Sequence, residues 1–167
     1  TKVQRTGIIA CTLDEGDEVV GARLTDGSSN IIVGSRKGLA IVFNESDVRV
    51  MGRQACGVRA IRLGLGDEVV GMGVIRSEDS YVISLTENGF GKKTEVAEYS
   101  AQNRGGKGVY TMKITNKTGN MLGLRVVQES DELLIIADSG QIIRTPVAQI
   151  RTTGRSAQGV RTIRLDD

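Results

Sequence analysis

The residues with the greatest chemical capacity lie in one short run, Gln102-Asn103-Arg104-Gly105-Gly106-Lys107-Gly108. Adjacent glycines let backbone N–H groups come close to a phosphate, while Arg104 and Lys107 offer a planar fork and a point charge to its oxygens. The run is not a Walker A loop, because it lacks that spacing and the Lys-Ser/Thr ending. A Gly-rich connector between structural units has the same composition, so on chemistry alone both readings stand. Other cations keep a fixed interval. Arg53, Arg104 and Arg155 are 51 residues apart, as are Arg62, Lys113 and Arg164; Lys93, beside Lys92, is in the same phase as Arg144. Equivalent residues of a repeat fall at equivalent places on successive units, so each series would draw a basic stripe able to track a phosphate backbone. Solvated surface charge copied along with a repeat gives the same pattern.

Composition removes most alternatives. The 167 residues include no His, which excludes Ser-His-Asp and Cys-His catalysis and every His-ligated metal site. Cys11 and Cys56 are too few for a Cys₄ zinc site or a disulfide framework, so a reducing, cytoplasmic compartment is expected. No apolar run reaches membrane-span length and the N-terminal residues show no signal-peptide pattern, so no membrane partner is expected. Phe43, Phe90, Tyr81, Tyr99 and Tyr110 are the only aromatics, too sparse for a surface that stacks bases of single strands. The tyrosines read as packing residues rather than nucleophiles. Asp14, Glu15, Asp17 and Glu18 sit by turns without a converging third ligand, so no metal, cofactor or catalytic constellation is expected. The net charge of +2 hides an imbalance: residues 1–100 carry 12 basic and 14 acidic groups, residues 101–167 carry 10 and 6.

These groups are positioned by an internal repeat. Gly57-Val58-Arg59-Ala60-Ile61-Arg62-Leu63 recurs from Gly108 and again from Gly159, at intervals of 51 residues, and an earlier copy begins at Gly7. Gly38, Gly89 and Gly140 keep the same interval, and residues 16–21 are repeated verbatim at 66–71. Such periodicity marks a repeat architecture. In the third copy, runs of strand length occupy residues 110–115, 122–127, 133–137 and 141–145, each too short for a typical helix. The clearest hairpin turns at Asp138-Ser139-Gly140, with counterparts at Glu87-Asn88-Gly89 and Arg36-Lys37-Gly38, and glycine suits a left-handed last turn position. About four antiparallel strands per unit is the size of a propeller blade. The expectation is an all-β, bladed protein, one domain or an arc of one over residues 1–167. Its units are 7–56, 57–107 and 108–158, with 159–167 beginning a fourth.

Residues 102–108 resemble the Gln-Arg-Arg-Gly-Gly-Lys-Gly box of the DNA gyrase A C-terminal domain at six of seven positions, with Asn103 as the departure. Gly7-Ile8-Ile9-Ala10, Asp26-Gly27-Ser28, Met51-Gly52-Arg53 and Thr86-Glu87-Asn88-Gly89-Phe90-Gly91-Lys92-Lys93-Thr94 extend the resemblance over essentially the whole chain. The resemblance implies a six-bladed β-pinwheel that exchanges hairpins between blades. It also implies a non-catalytic role, wrapping duplex DNA around a basic rim for an ATP-dependent type II topoisomerase that introduces negative supercoils. The active-site tyrosine would lie in another domain, and the partners would be the rest of the gyrase A protein and the B subunit. The expected contacts are Gln102, Arg104, Gly105, Gly106, Lys107 and Gly108, with Arg53, Arg155, Arg62, Lys113, Arg164, Lys92, Lys93 and Arg144. The related domain of topoisomerase IV is a second reading, and a protein-interaction propeller is a third. The scarcity of aromatics and the lack of Trp weigh against the third.

Overall fold

The computed structural model describes residues 7–162. Arg164 and the tail of the fourth copy therefore lie outside the described residues. Ten strands are present among those described: β1 (Asn30–Ser35), β2 (Leu39–Asn44), β3 (Val69–Ile75), β4 (Tyr81–Thr86), β5 (Phe90–Glu95), β6 (Val109–Tyr110), β7 (Met121–Val127), β8 (Glu132–Ile136), β9 (Ile142–Pro146) and β10 (Val160–Arg161). Three single-turn 3₁₀ segments accompany them, each directly after the second strand of a hairpin. The protein is all-β, with antiparallel pairing in every sheet.

Local chemistry fixes the hairpins. Gly38, Gly89 and Gly140 have φ of +82°, +75° and +84°, and their N–H groups donate to Ser35, Thr86 and Ala137 carbonyls at 3.0, 3.0 and 2.9 Å. A side chain at that φ would strain the backbone, which explains why the repeat keeps glycine there. The strands between are rich in Ile, Val and Thr, whose branched side chains suit a pleated surface.

Each complete blade is a four-stranded antiparallel sheet, as expected, but its strands come from three successive repeats. The first blade has the order β3-β1-β2-β6 and the second β10-β5-β4-β7, while β8 and β9 pair with each other. Each complete blade thus takes one hairpin from its own repeat, an edge strand from the next, and a two-residue strand from the one after. The reason is local. Residues 76–80, closed by Ser80 N–H donating to Ser77 O at 3.3 Å, carry the chain across to the neighbouring hairpin instead of folding it back along β3. Sharing strands also covers edges that a lone hairpin would leave bare. Residues 7–28, expected to contribute strands to the first unit, form none.

The main core lies between the two blades, where Ile32, Ala40 and Val42 of the first pack with Val82 and Leu124 of the second. Contact is close enough to demand glycine: a Cβ on Gly73 of β3 would stand 2.5 Å from Val126 Cγ2 of β7. Consecutive repeats are thereby held in one register, and the connector of residues 102–108 is carried between them.

Candidate nucleic-acid interface

The connector 102–108 is bound along its length to the first blade and to residues 58–62. Gln102 N–H donates to Val42 O at 2.7 Å, and Gly105 N–H to Ala60 O at 2.6 Å. Gly106 O accepts from Arg62 N–H at 2.8 Å. Gly108, at φ +75°, approaches β2 so closely that a Cβ would stand 2.4 Å from Ala40 O.

This anchoring changes the role expected for two residues. Arg104 is half-buried, its Nε donating to Asp47 O at 3.0 Å and its Nη1 to Arg59 O at 3.2 Å. Its fork holds protein carbonyls, and the N–H of Gly105 is already engaged by Ala60. The expectation of Arg104 as a free loop side chain is therefore corrected, because the guanidinium crosses the junction between connectors. Lys107 is exposed, as are Arg59 and Arg62. The bonds from Arg62 to Gly106 and from Arg104 to Arg59 bring these three cations around one connector. Arg53 and Lys113 are also exposed. Among the described residues, no carboxylate forms an ion pair with Arg53, Arg59, Arg62, Lys107 or Lys113.

The next junction repeats the frame with less charge. Thr153 N–H donates to Lys93 O at 2.8 Å, Lys113 N–H to Ala157 O at 3.2 Å, and Arg155 Nη1 to Tyr110 O at 3.1 Å. Glu98 accepts from Arg155 N–H at 2.8 Å, while Arg155 Nε is buried without a partner. Tyr110 and Gln158 stand where the first junction has Arg59 and Lys107. Arg59 was absent from the expected contacts. Its shared phase with Arg161 was the available signal.

Lys92 and Lys93 are corrected outright as rim cations. Lys92 is 1 % exposed, and its Nζ donates to Gly154 O at 2.7 Å and to Arg155 O, pinning the second connector from below. Burial pushes its ammonium down to about 8, a shift opposed by Glu98 and reinforced by Arg155. Ile41 is its counterpart beneath the first connector, one repeat earlier. Lys93 is 2 % exposed, with Nζ 2.9 Å from Glu129 Oε2, 3.1 Å from Val147 O and 4.7 Å from the Tyr81 ring centre. Arg144 is exposed but engaged by Glu132, to which its Nε donates at 2.7 Å.

Tyr99 is buried with Oη 2.5 Å from Thr111 Oγ1, a packing arrangement in which burial raises the phenol. Among the described residues no three acidic or sulfur ligands converge on a metal position, and no helix is long and apolar enough to cross a membrane.

Known proteins resemble this arrangement throughout. The family described as DNA gyrase C-terminal domain, beta-propeller, matches residues 3–26, 29–76, 80–128 and 131–167. The DNA gyrase A protein of Staphylococcus aureus (strain MRSA252) is 44 % identical over 168 residues, covering all of this chain and 19 % of that protein. The chain thus spans about a fifth of that relative. A solved DNA gyrase A C-terminal domain superposes with a TM-score of 0.89 at 29 % identity, over 98 % of this chain and 56 % of that one. The C-terminal domain of DNA topoisomerase IV gives 0.84 at 27 % identity, over 91 % of this chain and 48 % of that one.

Proposed function

The chain belongs to the DNA gyrase C-terminal domain family, and on that premise we propose that it binds, bends and wraps duplex DNA without reading its sequence. The observation that carries the proposal is the set of exposed, unpaired cations around the first connector, Arg59, Arg62 and Lys107, with exposed Lys113 repeating Arg62 at the next junction. Duplex DNA offers a regular line of phosphates to such groups, and no recognition helix is present among the described residues to read a groove. Arg104, Arg155 and Lys92 serve the surface indirectly, by holding the connectors in place. In this reading the chain is the non-catalytic wrapping part of a type II topoisomerase, and it works with the rest of a gyrase A protein and with the B subunit. It delivers curved DNA to a cleavage centre located elsewhere. The 44 % identity to a gyrase A protein favours gyrase over topoisomerase IV as the parent enzyme.

The test is duplex binding as a function of salt. Log affinity falls linearly with log salt concentration, each phosphate contact adding roughly 0.9 to the slope, and unrelated sequences bind alike. Binding that persists at high salt, or a marked preference for one sequence, overturns the proposal.

A further inference from the structure

We propose that Tyr110 is the uncharged duplex contact of the second junction, its phenol donating to a phosphate oxygen while its ring lies along the adjoining deoxyribose. The contact rests on the DNA reading above and deepens it, because it gives one junction a grip on the backbone that involves no cation.

The repeat defines the slot. Arg59, Tyr110 and Arg161 are 51 residues apart, and all three are exposed. Each stands two positions after a glycine, Gly57, Gly108 or Gly159, whose φ of +86°, +75° and +81° sets the chain on the same course. The backbone is then held alike at two junctions: Arg104 Nη1 donates to Arg59 O at 3.2 Å, and Arg155 Nη1 to Tyr110 O at 3.1 Å. Equivalent backbone thus presents a guanidinium at one junction and a phenol at the next. A phosphate line that meets Arg59 therefore meets Tyr110 further along.

Strand pairing fixes the face. β6 sets Tyr110 opposite Leu39 of β2, as β10 sets Arg161 opposite Phe90 of β5. Residues opposite one another in a sheet share a face, and the Arg161 guanidinium lies 5.4 Å from the Phe90 ring centre. The slot therefore stands over an apolar neighbour, half-buried Leu39 in the case of Tyr110.

Tyr110 also differs from the other tyrosines. It is 61 % exposed, and among the described residues its hydroxyl has no hydrogen-bond partner. Tyr99 is 6 % exposed and bonded to Thr111, while Tyr81 is half-buried with Lys93 Nζ 4.7 Å from its ring centre. An apolar ring ending in a free donor suits a backbone whose sugars are apolar and whose phosphates accept. Stacking on bases takes a row of rings and an open strand, neither of which this junction offers. Exposed Lys113, three residues on, supplies the attraction that brings a phosphate near.

A neutral contact releases no counterions, so it changes affinity without changing the salt slope. The test measures binding of a duplex of about 20–30 bp across a salt titration, for the full chain and three variants. Tyr110→Phe weakens binding about 2- to 12-fold, the equivalent of one hydrogen bond, by the same factor at every salt concentration. Tyr110→Ala weakens it further, again with the slope unchanged. Tyr110→Arg copies the first junction and steepens the slope by roughly 0.9. Thermal melts of all three match wild type, because the side chain is exposed. Nitration by tetranitromethane, read by mass spectrometry, gives a direct view: Tyr110 reacts ahead of Tyr81 and Tyr99 in the free protein, and bound duplex protects it. Wild type that binds duplex no better than Tyr110→Phe, a slope that Tyr110→Arg leaves unchanged, or nitration of Tyr110 undiminished by DNA overturns this inference and leaves the DNA reading standing. A wild type without salt-dependent duplex binding overturns the DNA reading itself, and the Tyr110 contact with it.

Discussion

Arg104 Nη1 donates to the backbone carbonyl of Arg59 at 3.2 Å, so a side chain expected to face DNA instead ties two connectors together. Arg104→Ala should destabilise the protein by about 1–3 kcal/mol, the range for losing hydrogen bonds made by a charged group. Lys107→Ala touches nothing in the fold and should stay within about 0.5 kcal/mol of the parent. Duplex binding should register the second change directly: Lys107→Ala lowers the salt slope by roughly 0.9 with an unchanged melting temperature. Urea unfolding and salt-titrated binding on both variants check the pair. Equal stability loss in the two would show that the connector is structural throughout.

Stability should depend on pH through Lys92. Its ammonium loses a proton at about 8 in the folded chain, against 10.5 ordinarily. Between those values the unfolded chain binds more protons, so stability rises as pH increases across the window. Lys92→Met removes the titrating group and should flatten that rise. The check is the difference in unfolding free energy between wild type and variant from about pH 7.5 to 11, the span that brackets the window. Parallel profiles would mean that Lys92 keeps an ordinary affinity for its proton.

Two glycines of the connector should respond differently to alanine. Gly105 has φ +78° but its nearest neighbour to a new Cβ is Arg59 O at 3.6 Å, so Gly105→Ala carries backbone strain alone. That strain is about 1–2 kcal/mol. Gly108→Ala adds a Cβ 2.4 Å from Ala40 O and must push β6 off β2. Thermal melts should place Gly108→Ala clearly below Gly105→Ala, and coinciding melts would contradict the close approach of the strands.

Bending is the property that distinguishes wrapping from mere binding. Arg62 and Lys107 lie at the first junction and Lys113 at the second, so DNA touching all three reaches across both junctions. Curving 20–30 bp by 40–90° costs on the order of 1–6 kcal/mol, which contacts spread over two junctions can offset and contacts at one cannot. Energy transfer between the ends of labelled duplexes should therefore rise only once the DNA spans both junctions. Lys113→Glu should reduce that rise more than it reduces affinity. Straight DNA at every length would leave a basic surface without wrapping.

The hairpins were legible in the sequence because their causes are local: a glycine at each turn and branched residues on either side. Which strand covers which edge was not, since a 51-residue period is kept equally by strands that pair within a unit and by strands that pass to the next. For the cations, the 51-residue phase carries no information on the direction of each side chain. Arg104, Lys92 and Lys93 have the charge of rim residues, yet each satisfies backbone carbonyls, and Lys93 also meets Glu129. Carbonyls carry no mark in the sequence that would distinguish such a partner from a phosphate. Arg59 shows the opposite case, an exposed cation that the tyrosine at its next repeat position concealed.

The pairing of Leu39 with Tyr110 has a consequence for synthesis of the chain. At about 5–20 residues per second, the hairpin β1–β2 emerges roughly 3–13 s before the strand that closes its second edge has been made. For that interval an apolar edge faces the cell uncovered, and the nascent chain cannot finish one blade before starting the next. Translation pauses placed after residue 110 should thus favour correct assembly, whereas pauses between residues 44 and 69 would prolong the life of a sticky hairpin.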